Sequence, residues 1–320
     1  MPILLLLYFS ASVASAQSPG GLADSRLCTL LVDDKRSGAR DSVIFESAHT
    51  DSIRAAFFGG CLALANKRPE DAADEFQRAV RSRDNDPVLH LWLGRAYGEQ
   101  AGHASVFRQP FLARRARIEF ERSAALAPDY IDAHNALMEY ALQAPGVLGG
   151  SIDRARAEAG EIAKRDPYRG GFARIEIENH EKNVQGMEQI YRQLVGQFPD
   201  STAPRLGLIG TLATLKRWPD AWAAVDDFEK ALPRSVAARF APGRVAAESG
   251  EQLSRGERGL REYVAHEPAR GDPPLSRAHW RLGMILEREG KADEARKEYE
   301  AAVALEPNLR QARDALAKLH

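Results

Sequence analysis

Two cysteines in 320 residues are too few for a disulfide-built scaffold or a cysteine-only zinc site, and no Cys-x-x-Cys spacing occurs. Redox chemistry is thereby confined to one bridge between Cys28 and Cys61, with two free thiols as the open alternative. Neither sign of charge dominates: 44 Lys and Arg face 45 Asp and Glu, for a net charge of -1. Nucleic acid or an anionic membrane as the principal partner would demand a clustered positive excess, so the bulk charge speaks against both and leaves only local patches. Beyond residue 16 no apolar run approaches the roughly 20 residues that span a bilayer, and stable membrane insertion is not expected.

Catalytic motifs are missing as well. The eight histidines are scattered, and none forms His-Glu-x-x-His or a pair at i, i+4. His180-Glu181 begins such a motif, but Val184 stands where the second histidine is needed. No Gly-x-Ser-x-Gly elbow occurs, and Gly149-Gly150-Ser151 reads as a turn with Ser151 capping the following helix. A phosphate-binding Gly-rich loop is absent too. No cofactor or metal is implied, and no catalytic residue can be assembled from spacing.

The chain does hold a short apolar start, Pro2 to Phe9, followed by small residues ending in Ala14-Ser15-Ala16, the small-x-small pattern of a cleavage site. Residues 1–16 read as a signal peptide, so the mature protein is expected to be exported, periplasmic or secreted. Residues 17–52 form an extension rich in Ser, Gly and Asp, in which only Leu27 to Val32 is apolar enough to pack.

The rest is repetitive. From Ser276 the chain reads Trp280, Leu282, Gly283, Leu286, then Ala295, Tyr299, Ala302 and Pro307, the outline of a helical hairpin. In that hairpin Gly283 would let the first helix approach the second, meeting Ala295, and Pro307 would stop the second helix. Carried backwards, the frame divides residues 53–309 into units 53–86, 87–130, 131–169, 170–201, 202–235, 236–270 and 276–309. The small position is Ala72, Ala116, Ala155, Met187, Ala221, Gly256 and Ala295; the stop is Asp84, Pro128, Pro167, Pro199, Pro233, Pro268 and Pro307. Gly60, Gly94, Gly243 and Gly283 share the close-approach position. Residues 310–320 read as a polar-backed capping helix.

On those residues the chain resembles the tetratricopeptide repeat (TPR) superfamily across 53–320. The resemblance implies an all-α, right-handed solenoid of about seven helical hairpins with a C-terminal cap. Ala144 to Gly150, together with Phe107-Arg108-Gln109-Pro110, is similar to segments of bacterial exported TPR proteins, a likeness that carries no activity with it. The superfamily lines its inner surface with positions 2, 5, 9 and 12 of each first helix. Here these positions include Arg54, Phe57, Cys61 and Leu64, then Val88, Leu91, Arg95 and Gly98, and later Arg244, then Arg277, Trp280, Met284 and Glu287. The Lys and Asn clamp for a terminal carboxylate is absent. Arginine beside apolar residues would suit an extended or acidic protein segment, while solvation or pairing with residues such as Glu99, Asp132, Glu139 and Glu248 is the competing account. The expected groove is Arg54, Phe57, Leu91, Arg95, Arg244, Arg277 and Trp280, with a partner centred on Phe57, Leu91 and Arg95. Trp92, Tyr97, Phe76, Phe120, Tyr191 and Tyr299 are expected in the core. The Ala101–Pro110 insertion either serves that groove or folds back on its own hairpin.

The function that follows is a non-enzymatic interaction or scaffold protein of the cell envelope. An envelope enzyme or enzyme subunit and a purely architectural spacer are the alternatives. Oligomeric state is not legible.

Overall fold

The computed structural model describes residues 21–32, 42–44, 52–269 and 271–319. The leader at 1–16 lies outside the described residues. Every regular element among the described residues is helical. Two compact units, Met1–Ile177 and Glu178–His320, divide the chain.

The first unit opens with α1 (Gly21–Val32). It continues with three hairpins: α2 (Ser52–Ala65) and α3 (Pro69–Ser82), α4 (Pro87–His103) and α5 (Gln109–Leu126), and α6 (Ile131–Gln143) and α7 (Ile152–Arg165). A 3-10 turn, Gly146–Leu148, lies between α6 and α7, and α8 (Pro167–His180) follows. The second unit contains α9 (Val184–Gln197), α10 (Thr202–Thr214) and α11 (Trp218–Ala231), then α12 (Val236–Ser249) and α13 (Leu253–Val264). It closes with α14 (Leu275–Arg288), α15 (Ala292–Leu305) and α16 (Arg310–Lys318). Within each unit the two helices of a hairpin pack together, and the second helix also packs against the first helix of the next hairpin. The first helices α10, α12 and α14 touch in sequence and form a layer.

Local chemistry sets the helix starts. Asp86 accepts from the Val88 backbone N–H at 3.0 Å with Pro87 as the first helical residue of α4. Ser151 caps α7 by accepting from the Arg154 N–H. Pro167, expected to stop the third unit, instead opens α8, three residues ahead of the expected frame at 170. Its missing N–H costs nothing at a helix start, and Asp166 accepts from the Arg169 N–H at 2.9 Å.

The recurring close approach within a hairpin has a different partner from the one its spacing suggests. A Cβ on Gly283 would lie 2.5 Å from the Tyr299 ring, and one on Gly94 would lie 2.5 Å from the Phe120 ring. The glycines make room for a ring one turn beyond the small residue rather than for the small residue itself. Trp92, Tyr97, Phe76, Phe120 and Tyr299 are buried, and Tyr191 is half-buried against the core of the second unit. Phe57, Phe76 and Trp92 pack ring to ring, with centroids 5.7 to 6.2 Å apart.

Candidate functional site

In the first unit the first helices of the first two hairpins, α2 and α4, are already covered. α1 packs against α2 and α4, presenting Ser25, Cys28 and Leu31, a spacing that aligns side chains on one helical face. Cys28 and Cys61 are joined by a disulfide with a Cα–Cα distance of 5.5 Å. The Trp92 indole N–H donates to the Ser25 hydroxyl at 2.9 Å, and the Ser25 and Tyr130 hydroxyls lie 3.3 Å apart. Burial, the largest influence, holds the Tyr130 hydroxyl far above the ordinary tyrosine range, so it remains protonated. One serine hydroxyl therefore satisfies two buried polar groups that would otherwise be left without partners.

This arrangement corrects the expected centre of partner binding. Phe57 and Leu91 are buried in the same core as Cys28 and Leu31 and present no free surface. A 3.6-residue period places them on the inner face but cannot show that a distant helix of the same chain lies over it. Arg95 stacks on the Trp92 ring, its guanidinium carbon 4.5 Å from the centroid, and Arg54 lies 5.5 Å from that of Phe58.

The second unit brings Arg244, Arg277 and Trp280 together with a residue that spacing did not single out, Arg281. Arg244 crosses α10 at Gly210, where a Cβ would lie 2.2 Å from its Nη1. Arg244 and Arg281 share the Glu248 carboxylate, at 3.6 and 3.2 Å, while Arg277 pairs with Glu306 at 3.4 Å. Arg281 is the buried member, with its guanidinium over the rings of Trp280 (4.8 Å) and Phe240 (5.4 Å). Its pKa is lowered to about 10, first by burial and then by the charge of Arg244, against the opposing pull of Glu248. Three guanidinium groups thus answer to two carboxylates. The partly exposed Arg244 and Arg277 can take an anionic side chain in a charge-assisted hydrogen bond, with the half-buried Trp280 beside them.

A second polar pattern recurs four residues into the first helices. His90 has Nδ1 2.6 Å from Glu119 Oε2 and Nε2 2.8 Å from the Asp84 carbonyl. His134 repeats this with Glu158 (2.7 Å) and the Pro128 carbonyl (2.7 Å). Arg205 takes the position in α10, donating to the Pro199 carbonyl and to Asp227 at 2.5 Å. In α12, Arg239 donates to the Pro233 carbonyl and pairs with Glu262. Each side chain fastens the preceding inter-repeat turn to the second helix of its own hairpin. His90 is raised above the ordinary histidine value: burial, the largest influence, lowers it, but the bonds to Glu119 and Asp84 together prevail. For His134 the bond to Glu158 leads and raises it. The signal in the sequence was a His or Arg six residues after the stop position, visible only once the frame is laid down.

The insertion between α4 and α5 does not fold back: Val106, Phe107 and Phe111 are exposed. Among the described residues no group of three or more His, Cys, Asp or Glu could hold a metal ion.

Helical hairpins repeated in this way define a solenoid of the class whose surfaces serve protein–protein interaction. Residues 276–309 match the family model of the tetratricopeptide repeat. Its fold is similar to that of a tetratricopeptide repeat protein from Parabacteroides merdae, at 13% identity and a TM-score of 0.54, covering 84% of this chain and 98% of that one. It is also similar to yeast Tom70, at 13% identity and a TM-score of 0.58, covering 92% of this chain and 61% of Tom70's. At such identities the likeness is one of fold. No curated protein has a significant sequence match.

Proposed function

We propose that this is a non-enzymatic interaction or scaffold protein of the bacterial envelope that holds an acidic protein segment along the first helices of its second unit. The observation that carries this reading is the arginine cluster of Arg244, Arg277 and Arg281, which exceeds its carboxylate partners and stands beside Trp280. The leader pattern at 1–16 and the Cys28–Cys61 bridge support an exported, oxidising location.

The test is recovery of a partner from envelope extract with the oxidised chain, followed by the double variant Arg244→Glu and Arg277→Glu. Reversing both charges should weaken binding by roughly 2–5 kcal/mol, the range for disrupting an interfacial charge pair. Arg95→Glu, in the first unit, should leave that affinity unchanged. Equal binding by wild type and the double variant would remove the second unit's arginines from the interface.

A further inference from the structure

Apolar side chains exposed singly are ordinary on a protein surface, whereas a cluster marks a surface that meets something. In the turn between α4 and α5, Val106 and Phe107 are 78% and 94% exposed, and Phe111 on the first turn of α5 is 64% exposed. Val147, in the 3-10 turn between α6 and α7, is 95% exposed. Helix α5 packs against that 3-10 turn, so both tips belong to one edge of the first unit, the edge carrying the turns within hairpins.

Charge at these two tips departs from the balance of the whole chain. From Gln100 to Ile118 there are four arginines, Arg108, Arg114, Arg115 and Arg117, and no acidic residue. Arg115 lies over the Tyr97 and Phe111 rings, and Arg117 pairs with Glu121 at 3.2 Å. Arg108 and Arg114 are exposed, and neither side chain has an ion-pair or hydrogen-bond partner among the described residues. From Tyr140 to Ile152, around the other tip, there is no charged residue at all.

Large apolar groups at the ends of turns, backed by unpaired guanidinium groups, have the composition of an interfacial anchor. The apolar groups enter the boundary of the acyl chains, and the arginines behind them meet the headgroup phosphates. A protein partner would need a broader or concave surface to bury the roughly 800 Å² per side of a stable complex, and these groups stand on protruding turns. We infer that this edge docks peripherally on an anionic lipid surface, with Val106, Phe107 and Val147 entering the bilayer boundary and Arg108 and Arg114 binding headgroup phosphates. Docking of this kind needs no spanning segment, and no helix among the described residues is long and apolar enough to cross a membrane.

The experiment is co-sedimentation of the full oxidised chain with phosphatidylglycerol–phosphatidylcholine vesicles and with phosphatidylcholine vesicles alone, at low and high salt. Binding should require the anionic lipid and weaken with salt, since the Debye length shrinks from about 10 Å at 0.1 M to about 3 Å at 1 M. Phe107→Ser should reduce the vesicle affinity roughly tenfold, the loss expected for one unburied aromatic side chain. Arg108→Glu with Arg114→Glu should abolish the preference for anionic lipid. Neither change touches the core, and far-UV circular dichroism should be unaltered. In Phe107→Trp, emission should move to the blue on adding anionic vesicles. Absence of binding at low salt, equal binding to both vesicle types, or binding that survives Phe107→Ser would overturn the inference; the last result would place lipid contact elsewhere, such as the apolar start of the chain. Self-association abolished by Phe107→Ser, with no vesicle binding, would overturn it in favour of a protein contact.

Discussion

His134→Leu removes two bonds at once, and the structure gives both the size of the loss and its dependence on pH. The imidazole bridges the Pro128 carbonyl and the Glu158 carboxylate, both at 2.7 Å. A hydrogen bond to a charged group is worth about 1.5–3 kcal/mol and a neutral one about 0.5–1.5 kcal/mol, so the variant should lose roughly 2–4 kcal/mol. The pKa of His134 is raised by its bond to Glu158, with burial opposing; the Pro128 bond and the Glu158 charge add to the rise, and Arg165 works against it. A raised folded-state value means that the contribution is fully present below the unfolded value of about 6.5 and is lost as pH rises through the folded value. The gap between wild type and His134→Leu should thus be wide near about pH 5.5 and narrower near about pH 8.5, by about 1.4 kcal/mol for every tenfold gain in proton affinity that the imidazole makes on folding. Glu158→Gln, which keeps the shape and removes the charge, should abolish most of that pH dependence. Urea unfolding followed by circular dichroism at each pH provides the comparison, with hydrogen exchange of α6 and α7 locating the loss. A gap that is the same at both pH values would refute the reasoning, because it would mean that the imidazole gains no proton affinity on folding.

Replacing Cys28 and Cys61 by serine frees a loop with a sequence separation of 33. The loss should be about 3.7 kcal/mol in the chain-entropy description, and two free thiols in the unreduced wild type would disprove the bridge. Gly94→Ala should destabilise by about 1–3 kcal/mol through collision with the Phe120 ring, although alanine is the better helix former. Gly98→Ala, four residues along the same helix with nothing within 4 Å, should stabilise by about 0.5–1 kcal/mol; thermal melts of the pair should move in opposite directions. Deleting residues 310–320 should uncover the apolar end at Leu309 and Ala302 and cause aggregation while the remaining helices persist, which circular dichroism and light scattering would register together.

Much of this architecture could be read from order along the chain. A stop residue and a small residue recur in phase because a hairpin is a local object: capping side chains, prolines and the helical period act within a few residues of themselves. The same locality made the aromatic core legible, since Trp92, Phe120 and Tyr299 fall on the stripe that a hairpin must bury. It also misassigned Pro167, because a proline between two helices reads equally as the end of one or the first residue of the next.

What only the tertiary structure decided is which parts of the inner face remain open. Ser25 meets Trp92 and Tyr130 across 67 and 105 residues, and no periodicity relates those positions. The seating of α1 turned Phe57 and Leu91 from candidate contacts into core, whereas Phe107 has no such cover among the described residues. Arg244 and Arg281 became one cluster because Gly210 lets one arm cross its neighbour and because both reach the single carboxylate of Glu248. The repeat dictated where side chains point, but their partners come from other turns of the stack, and burial and charge are properties of those partners.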